Sequence, residues 1–84
     1  MSRTINIVLS DDIFLCMQKD APSLAAEMRL AAAVKWYECG VLSQEKAAEV
    51  AGISRAEFLA NLARFHVSPF QETKEDILAS VRRD

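Results

Sequence analysis

The spacing of apolar positions changes along the chain, and each change predicts a different element. In residues 4–9, TINIVL, apolar and polar side chains alternate, which predicts a short strand with one half-buried face. In residues 24–39, LAAEMRLAAAVKWYEC, apolar side chains cover more than half of a helical circumference. A helix of that kind is covered on two sides, so the pattern favours a homodimer in which a second copy supplies one cover.

Capping residues set the expected bounds of the first two helices. A first helix, capped by Ser10 or Asp11, is predicted to end near residue 19, because Pro22 restricts the residue before it. Ser23 is predicted to cap the second helix. That helix is expected to end at Gly40, a residue type that tolerates the left-handed conformation after a helix.

Residues 43–66 carry the spacing of a helix-turn-helix. Ser43 caps a third helix expected to run to about residue 51, and Gly52 with Ile53 forms the turn that follows. Ala48 stands where the two helices of the hairpin cross, and a larger side chain there would push them apart. Gly52 stands four residues later, where a tight turn requires positive φ. The spacing therefore predicts two short helices in close contact.

A fourth helix is predicted to begin after Ser54. Glu57 follows three residues later, and this spacing indicates a capping box, in which each side chain accepts a hydrogen bond from the other residue's backbone amide. Phe58, Leu62 and Phe65 form the apolar stripe of this helix. With the second helix as support, the hairpin becomes a three-helix unit of the kind found in DNA-binding proteins.

The outward side of the fourth helix leaves two interpretations of the hairpin. A DNA-reading helix presents Arg, Lys, Asn or Gln side chains to base edges in the major groove. The candidates for DNA contact are Arg55, Asn61 and Arg64 on the fourth helix and Lys46 on the third. Alanines at positions 56, 60 and 63 occupy the rest of the outward face and offer only methyl contacts. A hairpin that reads DNA and a hairpin that binds protein or nothing both stay open.

The predicted N-terminal strand offers a second route to DNA. A strand followed by two helices is the order of ribbon-helix-helix dimers, in which paired strands from two subunits enter the major groove. In that arrangement Thr4 and Asn6 face the bases and Arg3 faces the backbone. The alternative is a strand that pairs with residues 66–71 of the same chain. The sequence favours this alternative, because Thr and Asn are common on any exposed strand face.

The charge balance limits what the whole chain can bind. Ten Lys and Arg residues oppose twelve Asp and Glu residues in a chain of 84, giving a net charge of −2. The chain is therefore not a generally basic nucleic-acid binder, and any DNA contact needs a local basic patch. No apolar run reaches membrane-spanning length, and the N-terminus lacks the long apolar stretch of a signal peptide. A single domain in the cytoplasm, without a membrane role, is expected.

The reactive side chains do not form a catalytic or metal-binding pattern. Cys16 and Cys39 lie in apolar helical patterns and are expected to be buried free thiols. His66 is the sole histidine, which is too few for a zinc site, and its place at a helix end predicts a carbonyl cap. Trp36 and Tyr37 are expected in the core or in an interface. The sequence therefore predicts no enzyme, no cofactor and no small-molecule substrate.

Residues 67–84 are expected to form an interaction tail. Pro69 forbids further helix after the hairpin and favours a short extended segment. Thr73 can begin a last helix over KEDILASVRR, at whose C-terminus Arg82 and Arg83 interact favourably with the helix dipole. The candidate partner-binding residues are Phe70, Ile77, Leu78 and Val81. The last three share one side of that helix, which can dock in a groove of a partner.

A resemblance to the UPF0175 family of small prokaryotic proteins runs through the stretch LAAAVKWYECGVLSQEKAAEVAGISRAEFLANLARFHVSPF. The shared pattern is an apolar helix, then Tyr37-Glu38-x-Gly40, then Leu42-Ser43, the KAAEVAGISRAEF block and a short extended segment. The stretch VLSDDI is also similar to the start of the family. The resemblance covers nearly the whole chain, and the central block is its most specific part.

That resemblance implies an antitoxin, a helix-turn-helix partner of a PIN-domain ribonuclease toxin encoded beside it. Proteins of this kind are expected to bind the toxin through a C-terminal segment and to repress their own operon. The implied DNA-facing element is the helix of Arg55, and the implied toxin-facing element is residues 67–84. The family tail is typically acidic near its end, and Arg82 and Arg83 depart from that pattern.

Together these observations predict a mostly α fold with a short N-terminal strand, a helical bundle containing a helix-turn-helix, and a C-terminal extended segment and helix. The predicted function is a DNA-binding antitoxin that regulates its own operon, acts as a homodimer and neutralises a PIN-domain toxin. The alternative is a protein-interaction adaptor whose helical hairpin is structural and binds no DNA.

Overall fold

The computed structural model describes residues 1–68, most of which are helical. The helices are α1 (Asp11–Met17), α2 (Ala21–Glu38), α3 (Gln44–Ala51) and α4 (Arg55–Leu62), followed by a short 3₁₀ helix, Ala63–Phe65. The prediction of a mostly helical fold is confirmed for this part of the chain. The predicted helix after Thr73 and the predicted partner-binding residues Phe70, Ile77, Leu78 and Val81 lie outside the described residues.

The predicted strand over residues 4–9 is not seen among the described residues of the single chain. Residues 1–9 lead to α1 without a helix, turn or bend, and their backbone groups make no backbone hydrogen bond within the described part of the chain. A strand forms only where a second strand completes its hydrogen-bond ladder. Residues 66–68, part of the expected partner, lie elsewhere, because Val67 is buried in the main core. Neither the ribbon nor the pairing with residues 66–71 is therefore seen in the described residues of the single chain.

The junction between α1 and α2 differs from the prediction. α1 is shorter than expected, because Gln18 takes the left-handed conformation with φ of 55°. α2 begins before Ser23, the predicted cap, and the Asp20 carboxylate accepts a hydrogen bond from the Ser23 amide at 2.9 Å. Pro22 lies in the first turn of α2, where its missing N–H group is no loss. The proline therefore starts a helix instead of merely ending the one before it.

The main core lies where α2, α3 and α4 meet. Phe58 and Leu62 on α4 are fully enclosed, and the ring of Phe58 meets Tyr37 of α2 edge to face, with ring centroids 5.8 Å apart. Ala47 and Ala48 fill the α3 side of the same core. Burying a Phe or Leu side chain contributes about 1.5–3 kcal/mol. Few large side chains of the described residues are fully buried, so each of them contributes a large share of the stability of the core.

Three side chains predicted to be covered lie at the surface of the chain. Cys16 and Cys39 are exposed free thiols, so the prediction of buried thiols is wrong. Cys16 belongs to α1, which buries no residue, and Cys39 follows the last residue of α2, beyond its packed face. Trp36 is exposed, whereas Tyr37 is buried in the core as expected. Neighbouring helix positions point about 100° apart, so only one of the two rings faces the core.

Candidate nucleic-acid interface

The α3–α4 hairpin has the geometry that the sequence predicted. Ser43 caps α3 with its side chain, and α3 ends at Gly52, which takes the left-handed conformation with φ of 75°. The Ile53 amide donates to the carbonyl of Ala48 at 3.1 Å and closes the turn. Ala48 is buried in the core that α3 shares with α4, so a larger side chain there would displace one of the helices.

The N-terminus of α4 is fixed by the predicted capping box. The Glu57 amide donates to the Ser54 hydroxyl at 3.1 Å, and the Ser54 amide donates to the Glu57 carboxylate at 3.1 Å. The hydrogen bond from the Ser54 backbone, together with that from its side chain, holds the pKa of Glu57 below its ordinary value. The Glu57 carboxylate therefore interacts with the backbone at the N-terminus of α4 and is also exposed to solvent.

Arg29 of α2 fastens the turn of the hairpin. Its Nε donates to the carbonyl of Val50 at 2.7 Å and its Nη2 to the carbonyl of Glu49 at 3.4 Å, at the C-terminal end of α3. Its guanidinium also lies against Gly52, where an added Cβ would come within 3.1 Å of two guanidinium nitrogens. Sequence reasoning missed this role. The available signal was position: Arg29 is the one charged residue of α2 outside the stripe of Glu27, Lys35 and Glu38.

A chain of side-chain hydrogen bonds links the three core helices at the start of α4. The Nε and Nη2 of Arg55 donate to the Gln44 side-chain oxygen at 3.1 and 2.9 Å. The Gln44 amide nitrogen in turn donates to the Tyr37 hydroxyl at 3.1 Å. The guanidinium of Arg55, an exposed side chain, is thereby held in a defined orientation. The sequence does not predict this role of Gln44, whose partners lie 7 and 11 residues away, in two other helices.

The other three predicted DNA contacts are each engaged within the chain. Lys46 forms an exposed ion pair with Glu49 at 3.2 Å. Arg64 forms an ion pair with Glu27 of α2. The Asn61 side chain donates to the carbonyl of Glu57, one turn earlier in α4, at 2.8 Å. The structure therefore places these residues on the hairpin but does not gather them into an open basic patch.

The exposed surface of the hairpin is electrically balanced and has small side chains. Residues 43–68 contain three basic side chains, Lys46, Arg55 and Arg64, and three acidic ones, Glu45, Glu49 and Glu57. Between them the alanines at positions 56, 60 and 63 are exposed, as predicted. The result is a methyl surface on α4 and the start of the 3₁₀ helix, with the Arg55 guanidinium at its N-terminal end. The exposed side chains of Glu57 and Arg64 flank this surface.

Two further kinds of feature are absent from the described residues. No three His, Cys, Asp or Glu side chains in residues 1–68 lie together as a metal site. None of the helices in that stretch combines the length and the apolarity needed to cross a lipid bilayer.

Comparison with protein-family models matches residues 1–82 to a family described as "Uncharacterised protein family (UPF0175)". The resemblance seen in the KAAEVAGISRAEF block is thereby confirmed, and the match extends to the N-terminal segment as well. No curated protein and no solved structure matches the chain.

Proposed function

Since this chain belongs to the UPF0175 family, we propose that it is a DNA-binding antitoxin that regulates its own operon. In this proposal α4 reads the operator, and the chain neutralises a PIN-domain ribonuclease toxin encoded beside it. One observation carries the DNA-binding part: α4 is capped, packed on α3 and exposes Ala56 and Ala60 on its outward face. The antitoxin part rests on the family resemblance.

The outward face of α4 suits a close approach to the major groove. Ala56, Ala60 and Ala63 are exposed, and alanine methyls can contact the methyl groups of thymine. Arg55 is the first residue of α4, and residues near the N-terminus of a recognition helix commonly contact base edges. An arginine there can donate two hydrogen bonds to guanine. Gln44 already orients the guanidinium, which lowers the entropy lost when it meets a base.

In this proposal Lys46 and Arg64 contact phosphates. Without DNA, each of them forms an ion pair with a glutamate of the same chain. Lys46 and Glu49 are both highly exposed, and an exposed pair of this kind is worth about 0–1 kcal/mol. Exchanging Glu49 for a phosphate therefore costs little. Arg64 is held more firmly, because its partner Glu27 is half-buried. With about two or three phosphate contacts per copy, the logarithm of the affinity falls by roughly 2–3 for each tenfold rise in salt.

Binding of the full chain to a labelled duplex from the region upstream of its own gene tests this proposal. Fluorescence anisotropy at several salt concentrations gives the Kd and its salt dependence. Arg55→Ala is expected to weaken binding by about tenfold to a hundredfold, since a bidentate base contact is worth roughly 1–3 kcal/mol. The matched control is Lys35→Ala, which removes one positive charge from α2, outside the hairpin.

The control is suitable because Lys35, like Arg55, is an exposed cation with a side-chain partner: its Nζ lies 2.9 Å from the Glu38 carboxylate, and this hydrogen bond raises its pKa. Its loss is expected to leave the Kd nearly unchanged. Two results contradict the proposal: binding that does not depend on salt, and an equal loss of affinity in both variants.

The charge pattern of the hairpin favours a second function, a protein-interaction adaptor without DNA binding. Lys46 and Arg64 are ion-paired, Arg55 is hydrogen-bonded, and the basic and acidic side chains of the hairpin balance. A typical nucleic-acid interface has an excess of unpaired basic side chains. In this function the chain binds the ribonuclease but not DNA. The contact is made by the predicted tail, which lies outside the described residues.

Inhibition of the purified neighbouring ribonuclease by the full chain separates the two functions. The substitutions Ile77→Lys and Leu78→Lys together are expected to abolish inhibition if the tail is the contact. Inhibition that needs these residues, in a protein that shows no salt-sensitive binding to the upstream duplex, supports the adaptor. Inhibition that survives both substitutions contradicts the role of the tail.

A further inference from the structure

We propose that residues 4–9 pair with the same residues of a second copy of this chain, as an antiparallel ribbon that covers an apolar groove on α1 and α2. The inference does not rest on the proposed DNA-binding function. It rests on an incompletely filled groove, on a backbone without hydrogen-bond partners in the described residues, and on a sequence that is complementary to itself.

The groove lies between the N-terminal segment and the first half of α2. It has a volume of about 300 Å³ and is partly open to solvent. Apolar side chains form most of its walls, namely Ile5, Ile7 and Leu9 from the segment and Phe14, Leu24 and Met28 from the helices. Ile5 is nevertheless 84% exposed and Ile7 61% exposed. The segment thus lines a groove that it does not fill.

The C-terminal side of the hairpin, as far as it is described, lies against a different part of α2. Val67 is buried in the main core and lines a second cavity with Val34 and Lys35, in the second half of α2. The groove instead lies against residues 21–28 of that helix. At 1.5 Å per residue, the two positions along α2 are separated by roughly 10–15 Å. The in-chain pairing of the segment with residues 66–68 is therefore not formed, and a partner from outside the chain fits the observation.

The backbone of the segment is suited to accept a strand. Residues 1–9 contain no turn or bend and make no backbone hydrogen bond within the described part of the chain. Their sequence also contains no proline or glycine that would interrupt a ladder. An edge of this kind is a template for pairing with another strand through main-chain hydrogen bonds.

The side chains of the segment identify the second strand as another copy. When a two-fold axis passes through Asn6, antiparallel pairing sets Ile5 opposite Ile7 of the second copy, and Thr4 opposite its Val8. Residues directly opposite each other lie on the same face, so four isoleucines gather on one side of the ribbon, where β-branched side chains pack well. A two-fold interface needs this self-complementarity, and the segment supplies it.

The exposed apolar surface around the segment agrees with what a stable dimer needs. The large aliphatic side chains exposed there, between 41% and 94%, are Ile5, Ile7, Val8, Ile13, Leu15 and Met17. At on the order of 100 Å² of apolar surface per fully exposed side chain, they offer roughly 400 Å² per copy. A standard interface buries about 800 Å² on each partner, and a little over half of it is nonpolar. The available area is an upper bound for the ribbon, because Val8 lies on the face opposite Ile5 and Ile7, and it is comparable with the nonpolar part of one standard interface.

Sedimentation velocity of the full chain over a range of concentrations tests the inference. The wild type is expected to be a dimer, and Ile7→Lys a monomer with unchanged helical circular dichroism. The matched control is Val41→Lys: Val41 is 66% exposed, close to the 61% of Ile7, but lies in the loop after α2. The control is expected to stay dimeric. A wild type that is monomeric at every concentration, an Ile7→Lys dimer, or a Val41→Lys monomer overturns the inference.

Disulfide trapping tests the register of the ribbon independently of its stability. In a background with Cys16→Ser and Cys39→Ser, Asn6→Cys is expected to give a disulfide-linked dimer under mild oxidation. Thr4→Cys in the same background is expected to give none, because the two copies of position 4 are roughly 13 Å apart along the ribbon, beyond the reach of a disulfide. Equal linkage at both positions, or none at position 6, overturns the pairing. Neither test involves DNA, so its failure differs from a failure of the proposed function.

Discussion

The α3–α4 hairpin and the N-terminal segment use similar apolar side chains but bury them to very different extents. In the hairpin, Phe58 and Leu62 have no exposed surface, because α2 and α3 cover them. In the segment, Ile5 and Val8 are among the most exposed apolar side chains of the described residues. The difference is the partner: the hairpin finds one within the described chain and the segment does not. An apolar pattern thus indicates which face needs a cover, while the topology decides where that cover comes from.

The largest effect expected from this comparison is on the free energy of unfolding. Phe58→Ala is expected to lower it by about 3–5 kcal/mol, because it empties the centre of the core and removes the contact with Tyr37. Ile5→Ala, at an exposed position, is expected to change the stability of the monomer by no more than about 0.5 kcal/mol. Urea denaturation at low protein concentration measures both. Similar losses in the two variants would show that the two regions do not differ as described.

A smaller effect is expected at the turn of the hairpin. Gly52→Ala is expected to cost about 1–3 kcal/mol, since alanine is strained at positive φ. The new methyl group also comes within 3.1 Å of the Arg29 guanidinium. In an Arg29→Ala background the steric part disappears, so the double variant should lose less than the sum of the single losses, by about 0.5 kcal/mol or more. Denaturation of all four proteins measures this coupling, and strict additivity would contradict the contact.

The helix caps provide a third contrast between the two regions. Ser54→Ala is expected to lower the stability by about 1 kcal/mol, because it removes one half of the capping box. Ser10 stands at the same position before α1, but its side chain makes no capping hydrogen bond. Ser10→Ala is therefore expected to leave the thermal midpoint almost unchanged. A loss at Ser10 as large as that at Ser54 would contradict the assigned caps.

The smallest effect expected is a dependence on pH. The pKa of Glu57 is lower in the folded chain than its ordinary value, so its cap stabilises the fold fully above that ordinary value. The stabilisation is lost as the pH falls through the depressed pKa. Glu57→Gln cannot ionise and is expected to show a shallower loss of stability in acid. Thermal midpoints measured from neutral to acidic pH test this, and identical slopes for the two proteins would contradict it.

The hairpin could be predicted closely from the sequence because its signals are local. The cap at Ser43, the left-handed Gly52 and the box between Ser54 and Glu57 each depend on residues at most four positions apart. The contacts that orient the hairpin are not local. Arg29 reaches a carbonyl 21 residues away, and Arg55 reaches Gln44 across 11 residues. A single sequence does not indicate such pairs, because the type of each residue is compatible with many partners.

The N-terminal region was predicted less well, because its pattern leaves the partner unspecified. The alternation in residues 4–9 is present, but no strand forms in the described chain. The same limit explains the exposed Cys16 and Trp36, which lie in apolar stretches whose covered face is set by packing over long distances. The prediction that Pro22 ends the helix before it was wrong for a local reason. A proline in the first turn of a helix and a proline after a helix can have the same neighbours in sequence, and Pro22 lies in the first turn of α2.

The main claim is that the hairpin buries its apolar side chains within a single chain, whereas residues 4–9 need a second copy to cover theirs. Hydrogen exchange of the full chain at low and high protein concentration tests this claim most directly. The amides of residues 47–62 that are bonded within α3 and α4 are expected to be protected at both concentrations. The amides of residues 4–9 are expected to exchange freely at low concentration and to gain protection at high concentration. Protection of residues 4–9 that does not depend on concentration, or free exchange throughout residues 47–62, would contradict this division.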